Sequence, residues 1–168
     1  NGEVFCDELG EFTKIRNVLK NCPEDTRLKK LASAVFNMAQ SGQYNYLRTL
    51  SHGENAASAL SLSQFVNSTA HAVYLLNFSY MPYYKWAIRG MRELLILSSL
   101  ADDLTELLKE PYNKGKNLPL IEKICSAVLS ELKNQGVSNL SDDFLETHAY
   151  SIQNKISDPI LRNSSIIL

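Results

Sequence analysis

Between Asn55 and Tyr84 the chain carries no Asp, Glu, Lys or Arg. A run of that length without charge suggests a membrane span. It also holds Asn55, Ser58, Ser61, Ser63, Gln64, Asn67, Ser68, Thr69, His71, Asn77 and Ser79, polar groups that a bilayer core would leave costly and unpaired, so a span is excluded. Charge of one sign is lacking too: the formal net charge is -1, which gives no global pull toward nucleic acid or an anionic membrane. Cysteine is scarce, with Cys6, Cys22 and Cys125 forming no C-x-x-C pair for zinc or redox work. They read as reduced thiols of a cytoplasmic protein, with Cys125 in the core. The chain begins at Asn1 without a basic-then-apolar leader, so it is expected to be processed or cut from a longer protein.

Catalytic signatures are missing as well. There is no P-loop, no G-x-G-x-x-G, no H-E-x-x-H and no G-x-S-x-G. Asp102-Asp103 and Asp142-Asp143 are sequence neighbours, about 100° apart on a helix, and suit helix starts better than a shared metal. His52, His71 and His148 share no ligand spacing, and His71 reads as a hydrogen-bonded core histidine. Sequons at Asn67, Asn77, Asn139 and Asn163 are taken as chance matches, since the first two fall in or at the end of the helix expected to be most buried.

What is present is helical period. Leu60, Leu62, Phe65, Val66, Val73, Leu75, Leu76 and Phe78 point to nearly every side of a helix wheel, which predicts a central helix over 55–78 sheathed by others. Phe12, Ile15, Val18 and Leu19 share one face of a short helix over 11–19, with Val4 and Phe5 expected to pack back on the body. Pro23, Glu24 and Asp25 suit a first turn and open a long helix to about Leu50, with Gly42 allowing close contact. Pro82 ends the central helix and starts one over 83–97 that buries Tyr84, Ala87, Ile88, Met91, Leu94 and Leu95. Further helices are expected over 100–109, from Pro119 to Asn134, and from the Ser141-Asp142-Asp143 start to about Ile156, ahead of an apolar tail over 164–168 that docks or frays. The fold class is all-α: a single-domain up-and-down bundle of about six to seven helices over 1–168.

Three clusters could carry chemistry. Gln40, Gln43, Tyr44, Asn45, Arg48, His52 and Glu54 gather amides, a cation and a carboxylate where one helix ends and the next begins, a place for a polar substrate with Glu54 as candidate base. The same groups are what a solvated helix end ordinarily carries. Lys85, Arg89 and Arg92, flanked by Tyr83 and Trp86, form a basic stripe fit for phosphate or an acidic partner, or simply a solvated face. Arg48-Thr49-Leu50-Ser51-His52 falls one residue short of the R-x4-6-H motif of HEPN-type ribonucleases, a weaker third reading.

Four runs carry a family resemblance: Phe5 to Arg16, Pro23 to Lys30, Met38 to Tyr46, and Tyr74 to Trp86. They resemble a bacterial family of unknown function in which a helical C-terminal domain follows an N-terminal nucleotidyltransferase domain. The likeness covers roughly 1–97, and 98–168 add further helices. It implies a bundle similar to the C-terminal domains of kanamycin-type nucleotidyltransferases, which wall the substrate pocket. The Gly-Ser signature and metal-binding aspartates of such enzymes lie in the N-terminal domain, which is missing from this chain; Mg and a nucleoside triphosphate are implied for the full-length protein. On this likeness Gln40, Gln43, Tyr44, Asn45, Arg48 and Glu54 become the surface toward the missing domain and its substrate, and Tyr83, Tyr84, Lys85 and Arg89 a second wall. Arg48, Lys85 and Arg89 would meet anionic groups, Glu54 would anchor or act as base, and Tyr44 would stack. Where the family has Arg before its Gly-Glu pair, this chain has His52. The implied protein is an inactive substrate-binding fragment of a cytoplasmic nucleotidyltransferase, its partner its own N-terminal domain, with no membrane or nucleic-acid partner expected. The alternative is a helical protein- or RNA-interaction module without a substrate pocket.

Overall fold

The computed structural model describes residues 3–20 and 22–167. Among them every regular element is helical: α1 (Glu11–Lys20), α2 (Glu24–Met38), a π-helical stretch (Ala39–Tyr46), α3 (Leu47–Ser51), α4 (Asn55–Leu76), α5 (Tyr84–Met91), α6 (Leu100–Lys109), α7 (Lys114–Asn134), α8 (Leu145–Asn154) and α9 (Pro159–Asn163). The all-α class holds.

Two helices share the centre. α4 buries Leu62, Phe65, Val66, Thr69, Val73 and Leu76, and it meets α2, the π stretch, α3, α5, α6 and α7. α2 is equally embedded, lying between α4 and α8 with Leu28, Leu31, Val35 and Met38 in the core. Removing one side chain such as Phe65 from water contributes about 1.5–3 kcal/mol, so these two seams dominate cohesion. Unlike the expectation of burial on nearly every side, α4 keeps an exposed stripe of Leu60, Gln64, Asn67 and His71, spaced to fall on one helical face. A helix can lack charge and still meet water through amides and imidazole.

Buried cations tie the helices together. Arg27 Nη2 pairs with Glu24 Oε1 at 2.7 Å, its Nη1 donates to Leu75 O at 3.3 Å, and its guanidinium lies 4.3 Å from the Phe78 ring centroid. Lys29 Nζ donates to Gln153 Oε1 and Ser164 O, joining α2 to α8 and the tail, while burial lowers its pKa. Ile166 is buried while Ile167 is exposed, so the tail docks at Ile166. His148 is the buried histidine. Its Nε2 sits 2.7 Å from Asp142 O, and since a carbonyl only accepts, Nε2 carries a proton and donates it; Nδ1 lies 2.8 Å from Ser138 Oγ.

Several boundaries differ from the sequence reading. The helix expected over 83–97 stops at Met91. Asn77 takes up the Ile96 backbone from both sides, Nδ2 donating to Ile96 O and Ile96 N donating to Asn77 Oδ1, each at 2.9 Å. Leu95 is consequently 98% exposed, and Tyr84 is exposed too. α7 begins upstream of Pro119, at Lys114, where Asn113 Oδ1 accepts from Lys116 N. The carbonyl that Pro119 would crowd belongs to Gly115, which has no side chain to add to the clash. Asp142 caps a turn by accepting from Phe144 N, and α8 starts later, at Leu145. Phe5 is 93% exposed and does not pack back. α1, capped by Asp7 through Phe12 N and Thr13 N, buries none of its residues.

Candidate functional site: a polar groove beside a π-helical turn

The sequence Ala39-Gln40-Ser41-Gly42-Gln43-Tyr44-Asn45-Tyr46 winds as a π-helix, a rare form that recurs at functional sites. Its wider turn lets Gly42 sit against Phe65 of α4, with no room for a β-carbon between them. Tyr46 fixes the far side: its hydroxyl donates to Pro111 O at 2.8 Å and accepts from Asn117 Nδ2 at 2.9 Å. The stretch is therefore held from both flanks, and its amides emerge at a defined place.

Three adjoining hollows follow the seam between α2, the π stretch and α4. The most enclosed, about 330 Å³, lies between α2 and α4 beneath the turn after α4; Lys30, Ser33 and Asn37 line it with Gln64, Asn67 and His71, closed by Tyr80 and Met81. Asn37 and Gln64 also border the next hollow, about 390 Å³, with Gln40, Ser41 and Asn45. Asn45 in turn borders the third, about 490 Å³, with Arg48, Thr49, His52 and Glu54. Their shared wall residues line the hollows up as a polar groove along one seam, rich in amides, with Lys30 and His71 at one end and Arg48, His52 and Glu54 at the other.

The sequence-predicted residues divide. Asn45, Arg48 and Glu54 come together in the third hollow, and Gln40 lines the middle one while donating to Glu146 Oε2 at 2.9 Å. Tyr44 is exposed beside them; Arg48 donates to its hydroxyl and stacks 4.8 Å from its ring centroid. Ser58 Oγ, fully buried, lies 3.0 Å from Thr49 Oγ1 and 2.9 Å from Glu54 O, pinning the turn that presents Glu54. Gln43 turns away: its side chain donates to Glu122 and Asp143 O and accepts from Leu145 N, bracing α7 and α8.

Tyr83, Tyr84, Lys85 and Arg89 line none of these three hollows. Lys85 Nζ instead sits 4.5 Å from the Trp86 ring centroid, and Tyr83 packs on Tyr84 at 4.5 Å, an exposed aromatic patch around a cation. Arg92, expected in the same basic stripe, is paired with Asp102 at 2.9 Å.

The sequence reading missed Lys30, Asn37, Gln64, Asn67, His71 and Tyr80. A signal was there: Lys30, Ser33 and Asn37 recur at i, i+3 and i+7 on α2, as do Gln64, Asn67 and His71 on α4, marking two polar stripes. His71 has its imidazole pKa lowered by desolvation and by the Lys30 ammonium. It lies on the exposed stripe of α4, not in the core.

Among the described residues no three His, Cys, Asp or Glu gather to hold a metal ion, and no helix is long and apolar enough to cross a membrane. Fold and site together define a helical-bundle domain with a polar groove. Residues 1–87 match the family described as Domain of unknown function (DUF4037), and the chain belongs to that family. Neither the curated proteins nor the solved structures gave a match. All residues lining the groove lie within the matched segment.

Proposed function

We propose that this chain is the substrate-holding helical domain of a bacterial nucleotidyltransferase, similar to the C-terminal bundle of the kanamycin type, acting beside a catalytic domain on the same polypeptide in the cytoplasm. The observation that carries the reading is the convergence of Asn45, Arg48 and Glu54 on one open hollow at the end of the π stretch. Arg48 is free of any ion pair among the described residues and preorganised by stacking on Tyr44, so it offers a charge to an anionic group at small ordering cost. Glu54, exposed at the head of α4 and without a hydrogen bond from its side chain among the described residues, is available to an acceptor hydroxyl as anchor or base. No group of three His, Cys, Asp or Glu among the described residues offers an all-protein cage for Mg. The metal and the nucleoside triphosphate belong, in this proposal, to the catalytic domain, and no step on this chain runs through them.

The test is transfer from an α-labelled nucleoside triphosphate into a metabolite extract, comparing full-length protein with this chain alone. Labelled product is expected from the full-length protein and none from the chain. Transfer by the chain alone, or a full-length gene without a nucleotidyltransferase domain, overturns the proposal.

One observation favours the second reading, a macromolecule-docking module. The apolar stripe of α1, Phe12, Ile15, Val18 and Leu19, lies exposed, as does the Tyr83, Tyr84 and Trp86 patch. In the transferase reading these faces meet the catalytic domain. Charge reversal at Lys85 that abolishes capture of a separate protein, with transfer intact, would favour the docking module.

A further inference from the structure

The hollow between α2 and α4 has a character of its own. At about 330 Å³ it is the size of a small metabolite, close to the lower end of the ~300–1,000 Å³ usual for ligand sites. Its wall contains no Asp or Glu. Lys30 stands at its edge with no carboxylate partner among the described residues, its ammonium 5.6 Å from the Tyr80 ring centroid. Asn37, Asn67 and His71 make no side-chain hydrogen bond to other described residues, while Gln64 Nε2 donates to Ser68 Oγ at 3.3 Å.

Surface amides and imidazoles are ordinarily served by water, so their lack of partners alone means little. Their convergence does mean something. Two helices each bring a polar stripe to one concavity, beside a Lys30 ammonium with no carboxylate partner among the described residues. Lys30 is the charged side chain in that wall, its sign is positive, and the neighbouring amides, hydroxyls and imidazole offer polar hydrogens in several directions.

We propose that this cavity binds a small polyhydroxylated organic anion, its phosphate or carboxylate head against Lys30 and its hydroxyls on Asn37, Gln64, Asn67 and His71. The amides both donate and accept, as a polyol requires, and the Tyr80 ring covers the carbon skeleton. A cationic ligand is disfavoured, because Lys30 would repel it and no carboxylate lines the wall to receive it. The assignment is independent of the transferase reading: the cavity would bind its ligand in this chain alone, whether or not transfer takes place.

Isothermal titration calorimetry of the chain tests it with ribose 5-phosphate, gluconate, ribose and glucosamine. Saturable binding of ribose 5-phosphate or gluconate is expected, at least tenfold weaker in Lys30→Gln and undetectable in Asn67→Asp, which places a carboxylate in the wall. The tighter of the two anions names the head group. Both substitutions are on exposed positions, and an unchanged melting temperature will show that each variant is folded. No binding of either anion, equal binding of ribose or glucosamine, or undiminished affinity in folded Lys30→Gln overturns the assignment.

Discussion

Gly42 lies so close to the Phe65 ring that a β-carbon on it would meet Phe65 Cε2 at 2.6 Å and come nearer still to Cδ2. The ring is fully buried and has nowhere to go without disturbing the core. This contact sets how near the π stretch comes to α4, and so the width of the groove between them.

Gly42→Ala should therefore destabilise the protein by about 1–3 kcal/mol, the usual cost of overpacking. Urea unfolding measures it. Phe65→Leu alone should also be costly, as a cavity, but the double variant should recover part of the loss, because each change relieves the other. Strict additivity in the double-mutant cycle would mean that the two residues do not press on one another.

Tyr46 is the other anchor of the π stretch. Tyr46→Phe leaves Pro111 O and Asn117 Nδ2 without their shared hydroxyl, and Asn117 already has its Oδ1 buried and unpaired. A loss of about 1–3 kcal/mol is expected, read by the same denaturation experiment. A neutral outcome would show that the hydroxyl contributes no net stability there.

The α-helical class and most helix positions were legible in the sequence because apolar residues recur at helical spacing along α2, α4 and α7. The groove was half legible. Arg48, Asn45 and Glu54 stood out as a polar cluster at a helix junction, whereas Gln64, Asn67 and His71 were hidden by the equation of no charge with burial. The π turn could not be read, since its register depends on Phe65 and Asn117, distant in sequence. The early end of α5 likewise depends on Asn77 gripping Ile96, a contact no local pattern encodes.

The pH dependence follows from His71. Its folded-state pKa is lowered from the ordinary imidazole value of 6.5 by desolvation and by Lys30, so the unfolded chain takes up the proton more readily. Stability from this group is present above pH 6.5 and is lost as the pH falls through the lower folded value. Proton NMR of the imidazole should give a midpoint below 6.5, and Lys30→Gln should raise it. A midpoint at or above 6.5 in the wild type would contradict the geometry.

α1 buries none of its residues, so removing residues 1–20 should shift the melting temperature by no more than about 2 °C. A large drop would mean that α1 has a structural role on this bundle. An unchanged melting temperature is what a helix reserved for another surface predicts.

Amide chemical shifts of the chain, followed by NMR as ribose 5-phosphate or gluconate is added, locate the ligand face directly. Shifts should concentrate on residues 30–37, 64–71 and 80, with α7 unmoved beyond its contacts to the π stretch. Saturable shifts confined to α1, α7 or the Tyr83 to Trp86 patch, or none with either sugar anion, would contradict a ligand groove between α2 and α4.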